Sequence, residues 1–183
     1  MKKIYSVFLI LFIGILANAE IMEIPFIPEE FDVDIYQYPH MILIENPQSE
    51  QLDTVYTFSN EESSYEIRYT FFKQTISNYP NIKIAFVMCI LPIFWNIAGY
   101  ELDNISNFND SDVKNEFNGD FGSTGFIVDP NSDFGKGYKF IMADFFYKEN
   151  QGIVVRTILF NDLNFVQLNE KFLEIYHSFS FHE

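Results

Sequence analysis

Hydrophobic and polar positions alternate most cleanly in the middle third of the chain. From Tyr65 to Lys73, Tyr65, Ile67, Tyr69 and Phe71 fall on one side and Glu66, Arg68 and Thr70 on the other, the period-two signature of a half-buried antiparallel strand. Met41 to Ile44 and Val55 to Phe58 are shorter β-type runs, separated by the polar turn Asn46-Pro47-Gln48-Ser49-Glu50. Ahead of them, Glu20 to Phe31 carries Pro25 and Pro28 and reads as an extended lead-in.

The pattern then changes. Ile84 to Ala98 reads IAFVMCILPIFWNIA, too short to span a hydrocarbon core that needs about 20 helical residues. It predicts a buried core helix, which Pro92 should end or kink because proline lacks the N–H donor and clashes with the preceding turn. Cys89 within it reads as an inert core thiol. A long polar section follows from Asp103 to Lys136. Tyr138 to Tyr147 and Ile153 to Phe160 then form two β-rich runs joined by Lys148-Glu149-Asn150-Gln151-Gly152, which suits a hairpin. From Asn164 onward, Leu168, Phe172, Ile175, Tyr176 and Phe179 take the spacing of one helical face, and Asn164 with Gln167 forms a capping box. The order predicts an α+β domain in which an antiparallel β-sheet is sandwiched between helices, an α/β/α arrangement closed by a helix.

Composition supports one core. The chain has 183 residues, 48% of them hydrophobic, with 22 Phe and 11 Tyr, which excludes disorder, collagen and coiled coil. A single cysteine excludes a disulfide scaffold. The opening Met1-Lys2-Lys3, the apolar run Ile4 to Leu16 and the small-x-small Ala17-Asn18-Ala19 form a cleaved secretory signal. The expected organisation is therefore a signal peptide over 1–19 and one domain over 20–183, secreted or periplasmic, with no membrane span after cleavage. Cleavage would leave nine basic side chains against 26 acidic ones, a charge of −17. That balance argues against nucleic acid, whose binding depends on neutralising phosphates, and against anionic lipid.

Candidate chemistry is sparse. His40, His177 and His182 lack the spacing of a zinc site. Gly122-Ser123-Thr124-Gly125 lacks the spacing of a nucleophile elbow, and Gly135-Lys136-Gly137 completes no phosphate cradle. Carboxylate pairs form in space rather than in sequence, so Glu101, Glu116, Asp120 and Asp144 remain candidates for an extracytoplasmic carboxylate-dependent hydrolase. Asp144 shares a strand face with Phe140, Met142 and Phe146; burial there would demand a partner, and Arg156 on the neighbouring strand is the expected one. Asp129, Asn131 and Asp133 match the first, third and fifth positions of a calcium loop. Phe134 and Phe140 stand where that loop needs its Gly and its bidentate Glu. The same residues also serve ordinary turns, so a calcium-stabilised module is the further alternative, with those three as its metal ligands.

The element order, the terminal stretch Phe172-Leu173-Glu174-Ile175-Tyr176-His177-Ser178-Phe179 and the secretory context together resemble the Mog1/PsbP-like fold. Glu116-Phe117-Asn118-Gly119-Asp120-Phe121-Gly122 and Phe134-Gly135-Lys136-Gly137-Tyr138-Lys139 are similar to stretches in small exported bacterial proteins. The resemblance runs from Met41 to Phe181. It implies an antiparallel sheet between helices and a non-catalytic module that binds or helps assemble a larger envelope or extracellular protein, with no catalytic residues.

Overall fold

Long apolar strands can be buried on both faces only at the centre of a sheet, and the two longest runs of this chain lie there. The computed structural model describes residues 20–21, 32–38, 40–50, 52–62, 64–73, 76, 79–100, 105–166, 172 and 175–182. In chain order its strands are β1 (Glu20–Ile21), β2 (Val33–Gln37), β3 (Met41–Ile44), β4 (Tyr56–Asn60), β5 (Tyr65–Phe72), β6 (Ile105–Asn107), β7 (Phe121–Val128), β8 (Phe140–Lys148), β9 (Gly152–Phe160) and β10 (Phe179–Phe181). The helices are α1 (Ile82–Ala98), α2 (Asp110–Phe117) and α3 (Ser132–Gly135), with a 3-10 turn at Leu163–Val166.

Seven strands form one antiparallel sheet in the order β3-β4-β5-β9-β8-β7-β6, and β1-β2-β10 form a second, smaller one. β8 and β9 make the expected hairpin, in register with Asp144 opposite Arg156, and every residue of β9 is buried. The fold is α+β, a large antiparallel sheet with a few helices. One face of that sheet carries Ile127, Ile141, Phe145, Val155 and Leu159, covered by Phe86, Ile90, Phe94 and Ile97 of α1. The other carries Tyr65, Ile67, Phe146, Val154 and Ile158. There the cover is Val113 and Phe117 of α2 together with Val33 and Ile35 of β2 and Phe179 and Phe181 of β10.

α1 begins at Asn81, whose side chain accepts from the Ile84 N–H, and ends at Gly99 in the left-handed region (φ 81°), where glycine carries no Cβ penalty. Of the two outcomes expected at Pro92, an end or a kink, the helix does not end there but continues through it. Its core residues on both sides, Phe86 and Ile90 before and Phe94 and Ile97 after, are held by the sheet. The helical bond lost at Pro92 is the one to the Met88 carbonyl, on the exposed side where water can replace it.

Two further readings change. The polar section 103–136 contains α2 and the eight-residue strand β7. β7 escapes the hydrophobic pattern because its glycines make room for rings: a Cβ on Gly125 would stand 2.1 Å from Phe94. The chain also closes on a strand rather than a helix. Positions 172, 175 and 176 are helical, but Phe179 belongs to β10, paired with Ile35 of β2. Residues 1–19, Gln167 and Leu168 lie outside the described residues. Among those described, no helix is long and apolar enough to cross a membrane.

Candidate functional site

Arg156 stands at the middle of β9 on the α2 side of the sheet, with no exposed surface. A buried guanidinium must place its donors on acceptors, and this one does. Nη2 and Nε donate to Oδ2 of Asp144 at 2.8 and 3.2 Å. Nη1 donates to the carbonyls of Ile175, at 2.9 Å, and Tyr176. The rings of Phe117, Phe146, Tyr176 and Phe179 surround the charge, with centroids 5.5 to 5.7 Å from Cζ. Ser178 donates its hydroxyl proton to the Ile175 carbonyl. The Tyr69 hydroxyl, hydrogen-bonded to Ser178 Oγ, is therefore the donor of that pair, and burial pushes its phenol up. The cross-strand partnership expected for Asp144 is present, and it is wholly buried.

Three titratable groups adjoin this centre. Partial burial, then the charge of Asp112, raises the Glu116 carboxyl, whose Oε2 has no hydrogen-bond partner among the described residues. Tyr176 is pushed up to about 12 by burial and then by Glu116. His177, stacked on Phe117, is pushed down to about 4 by burial and then by Arg156. Such an imidazole stays neutral near pH 7. Chemically the assembly ties the last segment of the chain to the sheet: Arg156 is permanently charged and its donors are committed to structural acceptors.

A second arginine occupies the opposite face. Arg68 is 1% exposed although it sits on the polar side of the β5 alternation. Its Nη2 and Nε donate to Glu66 at 2.7 and 3.1 Å, Nη1 donates to the Phe134 carbonyl, and the Phe134 ring lies 5.0 Å from Cζ. Tyr138, near Glu66, is pushed up to about 12 by burial and then by that charge. β5 is thus buried on both faces, and its polar side is not a solvent side.

The surface holds a different kind of feature. α1 is apolar at every position but Lys83 and Asn96, yet only one side meets the sheet. Ile84 and Met88, one turn apart on the other side, are 61% and 64% exposed. With Tyr79, Pro80, Asn81, Ala85 and Cys89 they line an open groove of about 470 Å³. Burial raises the Cys89 thiol, which disfavours the reactive thiolate. The core-helix reading therefore holds for one face only. The cue was in the sequence: a helix on the outside of a single sheet can bury one stripe, so a helix this apolar leaves apolar residues on the opposite stripe exposed.

Of the four carboxylate candidates, Glu116 and Asp144 are brought together, both acting on Tyr176; the other sequence candidates among the described residues make separate contacts. Glu101 lies outside the described residues. Asp120 Oδ2 accepts from the Glu149 N–H in the β8–β9 turn at 2.7 Å. Ser123 is buried in β7 and donates to Asn107. His40 Nε2 is 3.0 Å from the Tyr65 hydroxyl, and both ring nitrogens of His182 meet carboxylates, Asp32 and Asp34. Asp129, Asn131 and Asp133 follow one another between β7 and α3, but in structural roles: the Asp129 N–H donates to the Lys139 carbonyl, and Asn131 Oδ1 caps α3 by accepting from the Asp133 N–H. The Asp133 carboxylate accepts from the Glu50 N–H and from Lys136, which hold it below the usual carboxylate range. Asp133 also lines a polar groove of about 570 Å³ with Asn46, Ser49, Glu50 and Asp53. Among the described residues, no three His, Cys, Asp or Glu side chains converge as metal ligands would.

No known protein family matches the chain, and no curated protein matches it either. Among solved structures, the solution structure of cyanobacterial PsbP (CyanoP) from Synechocystis sp. PCC 6803 is similar over 86% of this chain and 91% of that one, with a TM-score of 0.46 and 9% identity. The neighbour is a PsbP protein, the kind to which the sequence is likened. At that level the similarity is one of chain path and carries no residue roles.

Proposed function

We propose that this chain is a non-catalytic binding or assembly module of the Mog1/PsbP-like α/β/α kind, exported by its N-terminal signal to the periplasm or the medium. It docks an envelope or extracellular protein through the outward face of α1. The exposed Ile84–Met88 stripe carries the reading: side chains of this size cost free energy in water, about 25 cal/mol per Å² of apolar surface, and contiguous apolar patches mark interaction sites. Asp144 supports it from the other direction, since its carboxylate is bound to Arg156 in the core, where no substrate reaches it.

Site-specific photo-cross-linking in the cell tests the proposal. A cross-linker at Met88 is expected to capture one partner in defined stoichiometry, and one at Asn150, in the exposed β8–β9 turn, is not. Equal capture at both positions, or none at Met88, removes α1 as the docking face. A defined turnover by the purified chain would defeat the non-catalytic reading.

A further inference from the structure

The two edges of the large sheet are not alike. At one, β6 is three residues long, two of them the polar Ser106 and Asn107. At the other, β3 reads Met-Ile-Leu-Ile in unbroken register with β4, with none of the charges, prolines or bulges that keep an edge from pairing. We propose that the β3 edge takes an added strand: an extended segment of a partner protein, apolar along β3 and carrying Lys or Arg beyond it. This contact is separate from the α1 face and does not rest on it.

The backbone sets the shape of the occupant. In an antiparallel ladder, successive residues turn their N–H and C=O alternately toward the neighbouring strand and away from it. Met41 turns away from β4: its N–H donates to the Tyr38 carbonyl at 2.8 Å and its carbonyl accepts from the Gln37 side chain. Ile42 and Ile44 therefore bond to Ser59 and Thr57, and the N–H and C=O of Leu43 point off the sheet. Among the described residues no loop takes them, and an extended strand presents an acceptor and a donor in that register. Ile42 and Leu43, on opposite faces, are 50% and 46% exposed, so an added strand covers apolar surface on both sides of the sheet.

Charge selects the sequence of that strand. Where β3 ends, the polar groove of about 570 Å³ opens, lined by residues 46–50 with Asp53, Thr54 and Asp133. Asp133 is engaged by Lys136 and the Glu50 N–H, whereas the carboxylates of Glu50 and Asp53 are exposed. From Glu20 to Ile67 the chain carries no Lys or Arg. A second copy pairing edge to edge would therefore bring further carboxylates and no cation. A segment whose strand runs on into Lys or Arg meets Glu50 and Asp53 and is steered in by the same field.

The test titrates the full chain into a fluorescently labelled peptide of alternating Val and Thr that ends in lysines, and into a twin that ends in glutamates. Anisotropy reads binding, and amide exchange at Leu43 locates it. Saturable binding of the Lys peptide alone is expected, slowing exchange at Leu43 about tenfold or more. Leu43→Pro removes the outward donor without removing a bond to β4 and should abolish binding. With the unaltered chain, a Lys peptide N-methylated on the amides that face β3 should fail as well. Glu50→Gln with Asp53→Asn should weaken binding severalfold at low salt and little at high salt. Equal binding of both peptides would overturn the basic segment, and binding that leaves Leu43 exchange unchanged would overturn the edge. Binding of neither peptide would overturn the proposal outright. A Leu43 amide already protected in a sedimenting dimer, and exposed in the monomer, would make the occupant a second copy and end it. The Met88 cross-link tests α1 separately from all of these outcomes.

Discussion

Arg68 and Arg156 sit at successive rungs of the two adjacent central strands, on opposite faces of one sheet: Arg68 pairs with Thr157, and Arg156 with Tyr69. Each gathers backbone that no strand partner satisfies. Arg156 takes the carbonyls of Ile175 and Tyr176 and so anchors the end of the chain. Arg68 takes the Phe134 carbonyl and so anchors α3. They differ in their counter-ions. Asp144 is buried across the hairpin, whereas Glu66 lies two residues away on the same strand with its side chain 17% exposed. Water can still reach Glu66 if its arginine is lost. It cannot reach Asp144, and this difference sets how much each site holds.

The largest effect is therefore expected at Arg156. Arg156→Ala leaves a buried carboxylate unpaired and should lower unfolding stability by about 3–5 kcal/mol in urea titration, while Arg156→Met with Asp144→Leu should recover most of the loss. A single-variant loss below about 1 kcal/mol would mean the centre does not hold the terminal segment. Beside it, His177 titrates with a depressed folded value of about 4. Its contribution is present above the unfolded value near 6.5 and is lost as pH falls toward 4, up to about 3 kcal/mol. Imidazole NMR shifts should place its midpoint well below that of a free histidine.

On the other face, Arg68→Met should cost less, about 1–3 kcal/mol, and should loosen α3 first, visible as faster amide exchange near Phe134. An equal loss at the two arginines would erase the distinction between them. Smaller still is the His182 clasp between Asp32 and Asp34, which joins the end of β10 to the start of β2. The hydrogen bond to Asp34 is the main cause of its raised pKa. Its stabilisation is fully present below about pH 6.5 and lost as pH rises through the raised folded value, opposite in sign to His177. Solvent screening at a 40% exposed side chain limits it to about 0–1 kcal/mol, and His182→Gln should remove that slope. Calcium is expected to do least. Asp133 and Asn131 are engaged within and beside α3, so melting temperatures in calcium and in chelator should coincide; a rise in calcium would instead identify Asp129, Asn131 and Asp133 as ligands.

Legibility followed the range of the interaction. Asp144 and Arg156 could be paired in advance because a short hairpin fixes register locally, and both strands announce themselves by composition. The burial of Arg68 could not be read, because Glu66, Arg68 and Thr70 look the same whether their face meets water or α3. β7 was hidden for a related reason: Gly122 and Gly125 are small because rings from Phe108 and Phe94 occupy the space, and those contacts are distant in sequence. In Ile84 to Ala98 the helix was legible, but its division into a core side and an outward side depends on the sheet beneath it.

The sequence by itself determined the local periods: the alternation of β5, the hairpin of β8 and β9, the helix of Ile84 to Ala98 and the acidic balance of the chain. Only the tertiary structure decided which faces meet water. It buried the polar side of β5, left Ile84 and Met88 outside, and drew Phe179 out of a helical stripe into β10. The physical reason is that a period specifies how side chains are divided between two faces, while the burial of each face depends on what the rest of the chain lays against it.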